Sequence, residues 1–458
     1  MKDITDMGKQ AACFRFTTCR YDPESGEVTL SYEVDERVLK EKIIFPHASL
    51  PSDIHRQAAF YRALELLHLI AGVSYYKAGL ARRIDTGDTS IDSELADFLN
   101  GLYQKGLAEF AYLNKLDMSD LVDFTCNINE SIGVKHSEVN HRAGTGSQGL
   151  GLPERALVAM GGGKDSLVCL QMLKHAGIES QPVCVGSSGL IGETVKTAGL
   201  PLIRIGRELS TELTAMNAEG AWNGHVPVTA INSVILLCAG LLYGYRYIVF
   251  ANESSANEAT LTDGQGKEIN HQYSKSFEFE LAFRRVIGHR VSPGIEYFSL
   301  LRPFSEIAVT RQFSELTGFH RVFSSCNRNF HQDGSHLDGR WCQDCPKCRF
   351  TALALALFVD PQQLIAIQDA DLLDQKTQLQ GFKALCGLGE HKPFECVGSI
   401  AESRSAIKAL TQKPQYQDKY IVSALAGFPE IIHSSELELE PDFEGPHCIP
   451  AAIMDKLN

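Results

Sequence analysis

The stretch Ala156-Leu157-Val158-Ala159-Met160-Gly161-Gly162-Gly163-Lys164-Asp165-Ser166-Leu167-Val168-Cys169-Leu170 decides the fold. Its five leading apolar residues read as a buried strand. Three glycines follow, and Lys164-Asp165-Ser166 then opens an apolar-periodic helix that stops at Gly177. A strand, a glycine turn and a helix N-terminus together make an anion site. Backbone N–H groups unblocked by side chains point at the ligand, and the helix dipole favours negative charge there.

Outward from this stretch, apolar runs at 156–160, 181–186, 201–205 and 246–251 alternate with helical patterns at 166–176, 190–198 and 229–243. That alternation predicts an α/β fold with a doubly wound parallel sheet and ligands beyond the strand C-termini. Upstream, 12–45 reads as strands around the turn Asp22-Pro23-Glu24-Ser25-Gly26, and 52–80 and 92–113 as two long amphipathic helices. Residues 127–150 are polar and glycine-rich, a linker. They contain Gly144-Thr145-Gly146-Ser147-Gln148-Gly149, a literal dinucleotide fingerprint. No apolar strand precedes it and a strand, not a helix, comes next, so the match is rejected. Downstream, 349–370 reads as one strong helix. The expected organisation is an N-terminal α+β module (1–150), an anion-binding α/β domain (151–355) and a helical, loop-rich C-terminal region (356–458).

Composition narrows the function. The chain has 458 residues and a formal charge of −13, which argues against a large nucleic-acid surface. No apolar run reaches membrane-spanning length and the N-terminus lacks a signal-peptide core, so the expectation is a cytoplasmic protein without membrane or nucleic-acid partners. Thirteen cysteines, mostly scattered singly, fit reduced thiols rather than a disulfide framework.

Three further groups carry chemistry. Cys326, Cys342, Cys345 and Cys348 supply four soft thiolates, the set that tetrahedral Zn²⁺ takes in closed structural sites; an iron–sulfur cluster also uses four cysteines. The loop between them holds His331, His336 and Arg340, where a solvated role fits the histidines better than ligation. The second group is His225, Thr229, Asn232 and Ser233 at one end of an αβ unit, with Asn252 and Glu253 just past the next strand, where an α/β sheet places its site. Asn252 and Glu253 suit ribose, Mg²⁺ or acid/base work. The plain alternative is a helix cap at Thr229 or Asn232 and a solvated loop at 252–258. The third is His271 and Lys275 with Arg284, Arg285, His289, Arg290 and Arg302, cations that suggest a pocket for an anionic substrate, although helix-surface charges account for about half of such groups.

The glycine turn is no Walker A loop: Asp165 follows Gly163-Lys164 where Ser or Thr is required, and Val158 stands in place of the first glycine. It resembles instead the pyrophosphate loop of the PP-loop ATP pyrophosphatases, Ser-Gly-Gly-x-Asp-Ser, with Gly161 for the leading serine. The region from about 155 to 355 is similar to the cyano-deazaguanine (pre-queuosine) synthases. It is more similar to the peptidoglycan UDP-N-acetylmuramoyl-L-alanyl-L-glutamate epimerases, through 161–166, Phe250-Ala251-Asn252-Glu253 with Ser255-Ala256, Cys326-Asn327-Arg328-Asn329 and the long N-terminal module.

That resemblance implies a PP-loop (HUP-like) fold and an ATP-dependent, AMP-forming isomerase. It would adenylate the terminal glutamate of UDP-MurNAc-L-Ala-L-Glu, exchange its α-proton and hydrolyse the adenylate. Gly161, Gly162, Gly163, Lys164 and Ser166 would hold the phosphates, Asp165 would hold Mg²⁺, and Asn252 would complete the nucleotide site. His225, Glu253, His271 and Lys275 are the candidates for acid and base, and Zn²⁺ is the structural cofactor. The alternative is an amide- or nitrile-forming synthetase. A zinc-stabilised nucleic-acid protein is disfavoured by the acidic charge.

Overall fold

The computed structural model describes residues 10–127, 150–262, 266–330, 337, 339–389 and 392–457. The rejected fingerprint at 144–149 and both His331 and His336 lie outside the described residues.

Among the described residues nine strands join in one sheet. They are β1 (Cys13–Asp22), β2 (Glu27–Val34), β3 (Arg37–Ile44), β4 (Arg83–Asp85), β5 (Ala156–Ala159), β6 (Ser180–Val185), β7 (Ile203–Glu208), β8 (Tyr247–Phe250) and β9 (Glu296–Ser299). Their order is β9-β8-β5-β6-β7-β3-β2-β1-β4. The five strands from β9 to β7 are parallel. β5 and β8 are continuously apolar because both their faces are covered. β1 alternates instead, with Phe14 and Phe16 in the core and Arg15 outside. The chain runs from β5 outward through β6 to β7, then returns to the other side of β5 for β8 and β9. The reversal opens a crevice between β5 and β8 at their C-terminal ends, where the expected ligand site lies.

The strands of 12–45 form no sheet of their own. β3 pairs antiparallel with β7 (Lys42 with Glu208, Ile43 with Arg207, Ile44 with Gly206), so the N-terminal hairpins extend the parallel sheet. The seam carries a buried ion pair: Arg207 Nε lies 2.7 Å from Glu41 Oε1, with the Glu41 side chain fully enclosed.

Helices cover both faces. In chain order they are α1 (Ile54–Ala71), α2 (Val73–Gly79), α3 (Ser93–Gly106), α4 (Ala108–Asn114), α5 (Lys164–His175), α6 (Gly189–Thr197), α7 (Thr211–Ala218), α8 (Val228–Tyr243), α9 (Phe277–Val286), α10 (Glu306–Glu315), α11 (Pro346–Leu355), α12 (Pro361–Gln368), α13 (Leu379–Leu385), α14 (Ile400–Leu410), α15 (Tyr420–Leu425), α16 (Pro429–Ile432) and α17 (Ala451–Leu457). Each of the three long helices expected from periodicity is broken in two. The first breaks at Gly72, where a Cβ would lie 2.5 Å from Phe16 Cε1 and 2.9 Å from the Tyr103 hydroxyl. The second breaks at Leu107. The third ends at 355 because Asp360 caps a new helix at the Gln363 N–H (2.9 Å) and Pro361 enters its first turn. A periodic apolar face carries no record of a short break, since both pieces pack on the same core.

One core joins β1–β3, α1, α3, α8 and α9; a second, on the other face, joins α5, α10 and α11. Residues 356–458 do not trail from the α/β unit. Ile407, Leu410, Tyr416, Val422 and Ile453 are fully buried in the second core and fix the C-terminal helices against α5, α10 and α11.

Candidate functional site

β5 ends at Ala159, and Met160 leads into the glycine turn. Gly162 has φ +79°, a left-handed conformation that side chains other than glycine rarely adopt. Gly163 stands at the N-cap of α5 with no side chain bonded to the helix N–H groups, which leaves them free for an anion. A Cβ at Gly163 would lie 3.2 Å from Ser325 Oγ, so the glycine lets residues 324–325 pass close behind the turn; the Ser324 N–H donates to Gly162 O at 3.2 Å. At Gly161 a Cβ would meet nothing within 4 Å. Ser166 is engaged within the turn, donating to Gly163 O at 3.2 Å.

Lys164 is 1% exposed and turns away from solvent. Its ammonium lies 2.5 Å from Asp165 Oδ1 and 2.9 Å from Glu306 Oε1. Burial works against its charge, but Asp165 and Glu306 outweigh that and hold the lysine above its usual value. Glu306, the first residue of α10, is lifted to about 8 by burial and then by Asp165, against the pull of Lys164. Its Oε2 is buried without a hydrogen-bond partner among the described residues.

Beyond β8, Asn252 Nδ2 donates to Ser299 Oγ at 2.9 Å, and Glu253 Oε1 accepts from Ser255 Oγ at 2.7 Å. Both residues are buried, so the start of the segment is no solvated loop, whereas Asn257 and Glu258 at its end are exposed. α8 is capped neither by Thr229 nor by Asn232: Pro227 holds that position, and the Thr229 carbonyl accepts from Ser233 Oγ at 2.8 Å. Asn232 Oδ1 is left buried without a partner.

Asp165, Asn252, Glu253, Lys275 and Glu306 line one polar pocket of about 50 Å³ at the switch point, and Cys396 lines it as well. The sequence reading had singled out all but Glu306 and Cys396. His271 and His225 stand beside this pocket in a second cluster. His271 Nδ1 hydrogen-bonds Glu109 of α4, His225 Nδ1 lies 3.4 Å from the same carboxylate, and the two rings are 4.6 Å apart. On the pocket side Lys275 Nζ lies 3.0 Å from Cys396 Sγ, and the His271 ring acts on the same sulfur.

The charges follow from this geometry. Burial disfavours an imidazolium at both histidines. At His271 the contacts with Cys396 and Glu109 reverse that and raise it to about 9; at His225 the His271 charge adds to burial and holds it at about 4. Burial also disfavours the Cys396 thiolate, yet Lys275, His271 and Lys347 bring the thiol down to about 5. The raised His271 stabilises the fold fully below its unfolded value of 6.5, and this is lost as pH rises through about 9. The lowered Cys396 acts in the opposite sense: its contribution is present above 9.0 and lost as pH falls through about 5. Between pH 6.5 and about 9 the native state carries one proton more at His271 and one fewer at Cys396 than the unfolded chain. The expected NMR titration therefore shows His271 changing near pH 9 and His225 near pH 4. Replacing Glu109 with Gln should move the His271 midpoint down; a His271 midpoint at 6.5 in the native protein would show that the cluster is not formed.

The cation group at 284–302 does not converge on a pocket. Arg284 donates to Tyr297 O, Arg290 Nη1 lies 2.7 Å from Asp92, and His289 lies 2.8 Å from Glu94. Arg302 is buried against Glu280 at 2.9 Å. These charges hold α9 and β9 to their neighbours; of the group Lys275 lines the pocket, His271 stands beside it, and Arg302 braces it from beneath.

The four cysteines come together. Cys342 and Cys348 sulfurs are 3.8 Å apart, Cys345 and Cys326 3.9 Å, and Cys345 and Cys348 3.5 Å. A tetrahedron of thiolates about 2.3 Å from a central ion has edges of about 3.8 Å. The donor set thus fits one Zn²⁺; separate iron corners would spread the thiolates further. Backbone N–H groups of Cys342, Cys345 and Cys348 point at the neighbouring sulfurs at 3.3–3.4 Å, as a cluster of negative charge requires. The site adjoins the pocket: Cys326 follows Ser325, and α11, which begins beside Cys345, supplies Lys347, Phe350 and Thr351 to the pocket wall.

Reading the sequence missed Glu306, Cys396 and Glu109. Ser305, which caps α10 at the Ala308 N–H (3.0 Å), is a helix-start signal that places Glu306 at a helix N-terminus. Cys396 has no local signal, since it reaches the pocket through the packing of the C-terminal region.

The model of the MurL N-terminal domain matches residues 5–300, and that of the MurL C-terminal domain matches residues 322–436. A UDP-N-acetyl-alpha-D-muramoyl-L-alanyl-L-glutamate epimerase from Xanthomonas oryzae pv. oryzae is 41% identical over 452 residues, 98% of this chain and 97% of that protein. Proteins of the same name from Salinispora tropica and a Micromonospora species are 38% and 36% identical, over 90% and 95% of this chain and 88% and 96% of their own lengths. Among the described residues no helix is long and apolar enough to cross a membrane. The chain belongs to the MurL family of epimerases.

Proposed function

We propose that this protein epimerises the terminal L-glutamate of UDP-MurNAc-L-Ala-L-Glu to D-glutamate, by ATP-dependent adenylation of a carboxylate with release of AMP and pyrophosphate. The observation that carries the reading is the pocket at the β5/β8 switch point, where Asp165, two residues beyond the glycine turn, lines the same wall as the titratable side chains Glu253, Lys275 and Cys396. The names of the relatives supply the substrate class.

The chemistry needs both halves of that pocket. An α-proton beside an ionised carboxylate is too weakly acidic for a side-chain base. Adenylation removes the carboxylate charge, and the electron pair left by proton loss then delocalises into the neutral acyl group. The free N–H groups of 161–166 and the Lys164 ammonium suit the β- and γ-phosphates, and Asp165 is placed to hold the Mg²⁺ that neutralises them. Zn²⁺ at the four cysteines supplies structure: it would fix the 324–326 segment behind the glycine turn.

The test is incubation of the protein with ATP, Mg²⁺ and UDP-MurNAc-L-Ala-L-Glu in D₂O. Nucleotides, α-deuterium and glutamate configuration are read together. AMP, α-deuterium and D-glutamate are the expected products. AMP without α-exchange would sink the epimerase reading and favour a synthetase.

A further inference from the structure

Cys396 sits on the pocket wall without a part in nucleotide binding. It comes from the segment 392–397 of the C-terminal region, and its sulfur lies 3.0 Å from Lys275 Nζ, with the His271 ring also acting on it. The same pocket holds an unsatisfied carboxyl: Glu306 is 8% exposed, lines the pocket, and its Oε2 has no hydrogen-bond partner among the described residues. A buried polar atom of this kind marks a space shaped for a polar ligand.

We propose that the Cys396 sulfur, seated between the Lys275 ammonium and the His271 ring, takes the α-proton from one face of the substrate's glutamyl residue. The inference rests on the epimerase reading above and assigns its base. The α C–H bond breaks, an S–H bond forms, and the electron pair passes into the activated carboxyl group. The proton that completes inversion arrives on the other face from a carboxylic acid of the same pocket, for which the enclosed Glu306 in its wall is placed. One proton leaves and one returns, with no change of oxidation state. The surroundings suit the step: Lys275 and His271 keep the sulfur ionised against its burial, and a soft, weakly hydrated anion is poised beside the reacting carbon.

The experiment uses full-length wild-type, Cys396→Ser and Cys396→Ala protein with ATP and each of the two substrate epimers in D₂O, after checking that all three unfold at the same temperature. Both variants are expected to lose epimerisation by about 10²–10⁴-fold. AMP release should persist, and deuterium should enter from only one epimer, without inversion. A Cys396→Ala protein that epimerises within about tenfold of wild type would overturn the proposal, on the same scale of acid–base contributions. So would loss of AMP release with epimerisation, which would place the residue in nucleotide binding. If wild-type protein incorporates no deuterium from either epimer, the epimerase reading itself fails, and that result is distinct from a failure of the cysteine alone.

Discussion

Arg302→Met is expected to lower the unfolding free energy by about 3–5 kcal/mol, because it leaves the Glu280 carboxylate buried without its partner. Both side chains are 1% exposed, and Arg302 approaches Glu280 Oε2 through Nη2 at 2.9 Å and Nε at 3.3 Å. The guanidinium also donates to Glu253 O at 2.8 Å and to Lys275 O at 2.7 Å, so one side chain fixes the backbone beneath two pocket residues. A displacement of about 1 Å at either is expected to cost about 10²-fold in activity beyond the loss of folded protein. Denaturant unfolding of Arg302→Met beside Arg302→Met/Glu280→Leu separates the causes. The double variant should recover much of the stability, since the stranded charge is gone, while activity stays low. An unchanged midpoint in the single variant would mean the pair is not enclosed as described.

Cys345→Ser is expected to abolish metal binding and loosen the wall of the pocket. Cys345 contributes a sulfur to the four-thiolate cluster and also caps α11, accepting from the Cys348 N–H at 3.4 Å. Three sulfurs and a hydroxyl are a poor set for a closed Zn²⁺ site, and ligation and folding of the loop are one equilibrium. Elemental analysis should find about one zinc per wild-type chain and under about a tenth of that in the variant. Iron with sulfide in the wild type would replace zinc by a cluster. Metal retained in full by Cys345→Ser would remove Cys345 from the ligand set.

What the sequence makes legible is what depends on short-range pattern. The strand–turn–helix at 156–175 is read correctly because apolar run, glycines and helical period occur together within one local window. The four cysteines are legible for the same reason, three of them within seven residues. Long-range packing is not. Nothing local shows that Glu109 meets His271 across 162 residues of chain, or that Lys275 meets Cys396 across 121. The cations at 284–302 mislead because their partners, Asp92 and Glu94 among them, lie far away in sequence. A local charge count records the lysines and arginines but not the acids that neutralise them.

The β3–β7 seam has a consequence for how the chain divides. Three antiparallel residue pairs and one enclosed Arg207–Glu41 bridge hold the N-terminal strands to the parallel ones. Severing the chain near residue 150 would strip β7 and β3 of these partners and bare two rows of N–H and C=O groups. Each fragment alone would then offer a sticky border prone to self-association. Made together in one cell, the two fragments would find in each other the matching border, and a nicked but whole sheet is the product to expect.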